Sequence, residues 1–507
     1  MKNKVISGNE AVCLVKNDDL LAILGSGGGV AEPSYLLKML SERFQKEDLP
    51  RKLTLYHANG IGDKQEIGTD YLAYEGLVKR DVAGHWGMAP KMARLAQEEK
   101  IEAYNFPQGV MSQMYQAIAA GKPGVITKTG LRTFIDPRLE GGKMNKLAVE
   151  DIVKVIELEG EEWLFFPRFK INICFIRGTT ADLDGNITME QEAAILEGIS
   201  IAQATKNSGG IVIAQVKYLA QRNTLKAQDI RVPGIYVDYI VVDPAQKQTC
   251  LAEYNPALCG AVSLPLESIP PLPLDERKII ARRAAKELFP GAIVNLGVGI
   301  PAGVASVTAE DGKLEEITFT VEQGLIGGIP VGGVIFGVSC NPVAIIDQTL
   351  QFNFYDGGGL DVAFLGMAQV DGVGNVNSSK TGALLAGCGG FINISQNAKK
   401  VVFCATFTAK GLCVEVGDGQ LRILQEGKIA KFCTQVDQVT FSGIYAASVQ
   451  QKVLYVTERA VFELSAEGLI LIEIAPGVDL EKDILAYMAV RPIISASMRY
   501  MDEAIFR

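Results

Sequence analysis

Apolar residues recur along this chain in two rhythms. Short runs rich in β-branched residues, such as Gly210-Ile-Val-Ile-Ala-Gln-Val216 and Val401-Val-Phe-Cys-Ala405, are bounded by turn residues and predict buried strands. Between such runs lie segments with helical spacing. Pro90 to Lys100 is one, and Asp275 to Phe289 is another, with Asp275 placed as an N-cap and Gly291 just past the end. Strands alternating with helices predict an α/β fold with mostly parallel sheets. From Leu264 to Leu274 four prolines interrupt both rhythms, which predicts a first domain over 1–260, a Pro-rich linker over 261–275 and a second domain over 276–507.

The two sides of that linker repeat one another. Ala181-Asp182-x-x-Gly185-Asn186-Ile187 returns as Val370-Asp371-x-x-Gly374-Asn375-Val376, and the glycine turn Gly25-Ser-Gly27 returns as Gly297-Val-Gly299. Phe106-Pro107-Gln108-Gly109 pairs with Val321-Glu322-Gln323-Gly324. Matches in one order on both sides predict a duplicated domain. In the last of them Glu322 stands opposite a proline, a change of chemistry at a matched turn.

Composition narrows the function. With 507 residues, 48% of them hydrophobic and 21% charged, the chain can bury large cores, which excludes a disordered class. The net charge of −9 is dispersed and no basic block is interleaved with aromatics, so no nucleic-acid partner is expected. Nine cysteines without a CxxC pair read as reduced, apolar side chains. Acids before the first apolar stretch argue against a signal peptide, and Gly291 to Val307 is short of the ~20 residues a span requires, so a cytoplasmic, membrane-free protein is expected.

The chain has two histidines, His57 and His85, no GxSxG elbow and no Cys cluster, which disfavours a serine hydrolase and a zinc site; no metal is expected. His85, in Ala-Gly-His-Trp-Gly, reads as a packed turn residue, and His57 lies near Asn59. Neither glycine turn spells GxGxxG, so a nicotinamide site is disfavoured. Chemistry without imidazole suits a carboxylate nucleophile, because a glutamate with an ordinary pKa of about 4.3 attacks a carbonyl without a general base. A thioester is its natural electrophile, since thiolate leaves without a proton. Glu322 follows the predicted strand Ile317 to Val321 and precedes a glycine-rich loop, a position that fits either an exposed surface acid or a reactive group.

The segments Thr320-Val-Glu-Gln-Gly-Leu-Ile-Gly-Gly328, Tyr355-Asp-Gly-Gly-Gly-Leu-Asp361, Gly387-Cys-Gly-Gly-Phe391, Ala409-Lys-Gly411 and Tyr455-Val-Thr-Glu-Arg-Ala-Val-Phe462 tilt that choice. Lys128-Thr-Gly-Leu-Arg-Thr-Phe-Ile-Asp-Pro137 and Arg177-Gly-Thr-Thr-Ala-Asp182 accompany them on the N-terminal side. Together they make the sequence resemble the class I CoA-transferases over essentially its whole length, nearest the acetate and propionate branch. The resemblance implies two duplicated NagB/RpiA-like domains and a ping-pong transfer of CoA between a short-chain acyl-CoA and a free short-chain carboxylate. In it Glu322 forms an acyl-glutamyl anhydride and then a glutamyl-CoA thioester.

It further implies Asn59, Gln108 and the backbone around Gly387 and Gly389 as oxyanion donors, and Gly297, Val298, Gly299, Ile300, Pro301, Lys410 and again Gly387 and Gly389 as the CoA-binding set. Coenzyme A is then substrate and covalent intermediate with no tightly bound cofactor, and a homo-oligomer, dimer or tetramer, is expected. The N-terminal turn Gly25-Ser-Gly-Gly-Gly-Val-Ala-Glu-Pro33 departs from the family's usual Gly-Gly-Phe-x-x-x-Gly-x-Pro, which leaves the acyl pocket's shape open. A succinyl-CoA-dependent 3-oxoacid transferase, an acyl-CoA hydrolase and a non-catalytic CoA-binding protein remain as alternatives.

Overall fold

The computed structural model describes residues 4–265, 271–382 and 384–507; the middle of the Pro-rich linker, 266–270, lies outside the described residues. The chain groups into two compact units. One is Met1–Leu264 with Val321–Asn353 and Ala383–Asn393, and the other is Pro265–Thr320 with Phe354–Gly382 and Ile394–Arg507. No helix among the described residues is long and apolar enough to cross a membrane.

The first unit is built on seven principal strands: β1 (Leu20–Ile23), β2 (Leu53–His57), β3 (Val78–Ala83), β4 (Glu102–Asn105), β5 (Ile173–Asp182), β6 (Ile211–Ala220) and β7 (Tyr239–Val242). They pair in the order β4-β3-β2-β1-β5-β6-β7, every neighbour parallel. Central β5 is buried along nearly its whole length, as a strand covered on both faces must be. Helices α1 (Ser34–Glu47), α2 (Pro90–Gln97), α3 (Gln108–Ala119) and α4 (Gly198–Asn207) connect or flank these strands. In α1 the buried Leu36, Leu37, Leu40 and Phe44 form one apolar stripe. Because the strands are parallel, Gly25, Asn59, Gly84 and Gln108 all follow carboxyl ends of strands, the edge where open α/β sheets hold ligands.

The second unit carries β8 (Ile293–Leu296), β9 (Thr318–Val321, whose last residue groups with the first unit), β10 (Val362–Gly366), β11 (Lys400–Cys404), β12 (Lys452–Val456), β13 (Ala460–Ser465), β14 (Gly468–Ile474) and β15 (Ile493–Tyr500). The order is β9-β8-β10-β11-β12-β13-β14-β15, parallel as far as β12. The helix expected from Asp275 forms as α5 (Glu276–Ala285), with the Asp275 carboxylate accepting from the N–H groups of Arg277 and Lys278. It stops short of Phe289, capped at Lys286, and single turns carry the chain on to Pro290.

The two sheets share a plan: β2-β1-β5-β6-β7 corresponds to β9-β8-β10-β11-β12, and the glycine turns follow β1 and β8. The strand ladders correct one of the sequence matches. Ala22, three residues before Gly25, pairs with Tyr56, and Val294, three before Gly297, pairs with Phe319. Counting three residues on from each partner reaches Asn59 in one sheet and Glu322 in the other. Glu322 therefore corresponds to Asn59, at the end of β2, and not to Pro107, which follows the more distant β4. A short glycine-containing tetrapeptide can recur by chance, whereas ladder register is fixed by backbone hydrogen bonds.

Candidate active site

At the end of β2 the chain is pinned by a buried polar cluster. His57 Nδ1 lies 2.6 Å from the Asn59 carbonyl oxygen and Nε2 lies 3.1 Å from Asp81 Oδ1, while Trp86 Nε1 donates to the other Asp81 oxygen at 2.8 Å. Burial pulls the His57 ring down, but the Asp81 charge and the hydrogen bonds to Asp81 and Asn59 outweigh it and hold the ring above its ordinary value. His57 thus fixes the Asn59 backbone, as its place beside Asn59 suggested. His85 behaves differently: burial pushes it down to about 4, and its Nδ1 accepts from the Gly87 N–H at 3.0 Å, so it is the packed turn residue expected.

The side chains around Asn59 form a chain of hydrogen bonds with one direction. The Ser112 hydroxyl donates to the Gln108 carbonyl at 3.0 Å, so toward Gln348 Nε2, 2.8 Å away, it accepts. That orients the Gln348 amide and leaves its Oε1 to accept from Gln108 Nε2 at 3.2 Å; the same Gln108 nitrogen donates to Asn59 Oδ1 at 2.6 Å. Asn59 Nδ2 is then the free end. Asn59 is 2% exposed, and this nitrogen has no hydrogen-bond partner among the described residues. A buried amide donor left over by an otherwise satisfied network is a donor kept for something bound.

Gly389 lies against this network through the main chain, and Gly387 packs beside it on Asn105, Gly84 and His85. The Gly389 carbonyl accepts from the Gln108 N–H at 2.9 Å, its own N–H donates to the Gly84 carbonyl at 2.7 Å, and the Cys388 N–H donates to Asn105 Oδ1 at 2.9 Å. The N–H groups of Cys388 and Gly389 are therefore committed, and the segment meets Gln108 with an acceptor.

Glu322 follows β9 and is 7% exposed. The turn after it is forced by Gly324, at φ +100°, whose N–H returns to the Val321 carbonyl at 3.0 Å and whose carbonyl accepts from the Ile346 N–H at 2.8 Å. A Cβ there would stand 2.1 Å from the Ile346 carbonyl oxygen. Gly324→Ala should lower stability by about 1–3 kcal/mol from backbone strain alone, read as a lower urea midpoint. Gln323 reaches Ser26 Oγ at 3.5 Å, and Gly28, at φ +72°, packs so tightly on Ile335 that a Cβ would lie 2.7 Å from it. The first glycine turn thus lies against the loop that Glu322 opens. Glu322, Asn59, Gln108, Gly387 and Gly389 all belong to the first unit.

Of the CoA-binding set expected from the sequence, Gly297 to Pro301 and Lys410 lie in the second unit, while Gly387 and Gly389 lie in the first. Gly297 donates its N–H to the Phe364 carbonyl at 2.7 Å, Val298 is exposed, and Gly299 at φ +87° turns the chain through Ile300 and Pro301 into the helix Gly303–Glu310. Lys410 is exposed at φ +60°, its carbonyl accepting from the Lys428 N–H at 3.1 Å. Among the described residues no cluster of His, Cys, Asp or Glu could hold a metal. Sequence reasoning missed Gln348, the link between Gln108 and Ser112, and no local signal marks it.

Known proteins match this chain over nearly its whole length. A family model described as coenzyme A transferase matches residues 5–243. The caffeate CoA-transferase of Acetobacterium woodii is 49% identical, covering 99% of this chain and 97% of its own, and the acetate CoA-transferase YdiF of Escherichia coli is 45% identical, covering 99% and 95%. The crystal structure of the YdiF apoenzyme superposes with a TM-score of 0.96 at 44% identity, covering 100% of this chain and 96% of that one. A second YdiF structure, described as a thioester complex with CoA, does so at 0.95.

Proposed function

Because this chain belongs to the class I CoA-transferases, and so transfers CoA between acyl-CoA and carboxylates, we propose that it does so for short-chain acids in a ping-pong cycle carried by Glu322. A Glu322 oxygen attacks the thioester carbonyl, the C–S bond breaks, and CoA leaves as thiolate, giving an acyl-glutamyl anhydride. The thiolate then attacks the glutamyl carbonyl and releases the first acid as its carboxylate. An incoming carboxylate runs the two steps backwards, so no proton changes hands and no imidazole is called on.

The observation that carries this reading is the unpartnered Asn59 Nδ2 at the end of a directional amide chain, grouped in one unit with a buried Glu322. Two tetrahedral oxyanions arise in each half-cycle and need a donor held in place beforehand. Both donated contacts of Gln108 Nε2 are spent on Asn59 and Gln348, so in this reading Gln108 aims Asn59 and Asn59 meets the oxyanion. The Gly389 carbonyl holds the Gln108 backbone in turn. CoA's nucleotide is assigned to the open turn Gly297, Val298, Gly299, Ile300 and Pro301, with Lys410 as a cation for its phosphates.

The thioester complex of YdiF supports a covalent CoA intermediate here. Incubation with acetyl-CoA and no acceptor, followed by borohydride, should give a modified Glu322 by mass spectrometry. An unmodified Glu322 in an enzyme that still exchanges CoA would overturn the reading. The 49% identity to a caffeate CoA-transferase favours one second reading, an aromatic acrylate as acceptor. Specificity constants for acetate, propionate, acetoacetate and caffeate decide it: a caffeate preference of tenfold or more would displace the short-chain reading, and CoA release independent of any acceptor would indicate a hydrolase.

A further inference from the structure

Glu197 is a buried acid of the first unit that the surrounding side chains leave unaccommodated. It is 0% exposed, and neither carboxyl oxygen has a hydrogen-bond partner in any other of the described residues. It sits at the N-cap position of α4 yet makes no capping hydrogen bond, and the residue before it, Leu196, holds a left-handed φ of +50°. A non-glycine residue kept in that region is maintained by its surroundings. Here the Leu196 carbonyl accepts from the backbone N–H of Gln348 at 3.1 Å, the same Gln348 whose side chain links Ser112 to Gln108. Glu197 is thus one peptide bond away from the network that ends at Asn59.

The titratable groups that act on it or sense it are all acidic or neutral. Asp347, just before Gln348, acts on it as a like charge; Tyr56 from β2 and Tyr115 from α3 are the other titratable side chains that sense it, and Cys174 of β5 lies beyond Tyr115. Glu197 makes no ion pair among the described residues, and no cation acts on it. Burying an ionised carboxylate without a partner costs far more than keeping its proton. Burial first, and Asp347 second, outweigh the pull of its own backbone N–H and push Glu197 up to about 8. Burial also lifts Asp347 above its ordinary value, and it raises both phenols well above 10 and the Cys174 thiol to about 12, so these last three stay neutral throughout the window in which Glu197 titrates.

This deepens the proposed function and rests on it. The acceptor enters as an anion, into a region that also holds Glu322. We propose that Glu197 is a positioning residue that stays protonated behind the Gln348-Gln108-Asn59 chain, and that losing its proton closes the enzyme to carboxylate acceptors. Another negative charge beside Asp347 would repel the incoming anion and compete for the donors of the amide chain. The ionised form is excluded from acceptor binding, so above about pH 8 the acceptor KM should rise about tenfold per pH unit while the acyl-CoA KM changes far less.

The test is the acceptor KM of the full-length enzyme from pH 6 to 10. Glu197→Gln, which has the size of the protonated acid and cannot ionise, should keep its activity at pH 7 and lose the alkaline rise. Asp347→Asn removes the like charge and should move the rise to lower pH. A wild-type KM without an alkaline rise, or a rise that is the same in both variants, overturns the proposal. So does a Glu197→Gln enzyme that alters only the pH dependence of thermal unfolding, because that is the signature of a purely structural acid. Should Glu197→Gln not fold, the direction of the shift in Asp347→Asn decides alone. Failure of the underlying reading looks different: Glu322→Gln would then retain transfer whatever happens at Glu197.

Discussion

Glu322→Gln should lower CoA transfer by roughly 10⁴-fold or more, the scale expected when a covalent nucleophile is removed. The substitution keeps the size of the side chain and its place after β9, so the turn closed by Gly324 is preserved and the fold should stay intact. A carboxamide oxygen has no charge to form the anhydride, and its carbonyl is not exchanged for a thioester. CoA affinity should stay within a few-fold, since the nucleotide is assigned to Gly297 to Pro301 in the second unit. Glu322→Asp keeps the nucleophile but withdraws it by about one bond; a displacement of about 1 Å costs on the order of 10²-fold, so this variant should fall between wild type and Gln. Steady-state transfer with acetate as acceptor and a CoA-binding titration separate these effects. A Gln variant with undiminished transfer would remove Glu322 from the chemistry.

Such a test could be designed from sequence because Glu322 is carried by a contiguous motif. The same holds for β9 and the glycine turns, whose periodicity and turn residues are local signals, and for α5, whose N-cap Asp275 sits next to the residues it caps. The support around the site is another matter. Gln108 reaches Asn59 across 49 positions and Gln348 across 240, and nothing local to any of the three announces the hydrogen bonds. The correspondence of Glu322 with Asn59 was also hidden, because it rests on the register of two ladders and not on similar tetrapeptides. Glu197 reads in sequence as one more acid before a helix; only its burial and the lack of a partner set it apart. Local propensity and contiguous motifs are thus legible in a single sequence, whereas polar networks assembled by the fold are not.

That network makes the second large effect specific to one atom. Asn59→Ala removes Nδ2 and should lower kcat by about 10²–10³, the loss expected for one oxyanion donor, with the acyl-CoA KM within a few-fold because the donor acts mainly in the transition state. Asn59→Asp should be worse than Ala. It puts a carboxylate oxygen where the donor stood and sets a negative charge beside the developing oxyanion. Neither change should unfold the protein, since His57 holds the Asn59 carbonyl and not its side chain. Gln108→Leu leaves Asn59 in place but frees its amide to rotate, so it should lose less than Asn59→Ala. Gln348→Leu, one link further back, should lose less again. That graded order, Asn59 over Gln108 over Gln348 in kcat at constant thermal stability, is what a one-directional amide chain requires. If Gln108→Leu instead equals or exceeds Asn59→Ala, Gln108 touches the oxyanion itself and the direction of the chain is the reverse of the one drawn from Ser112.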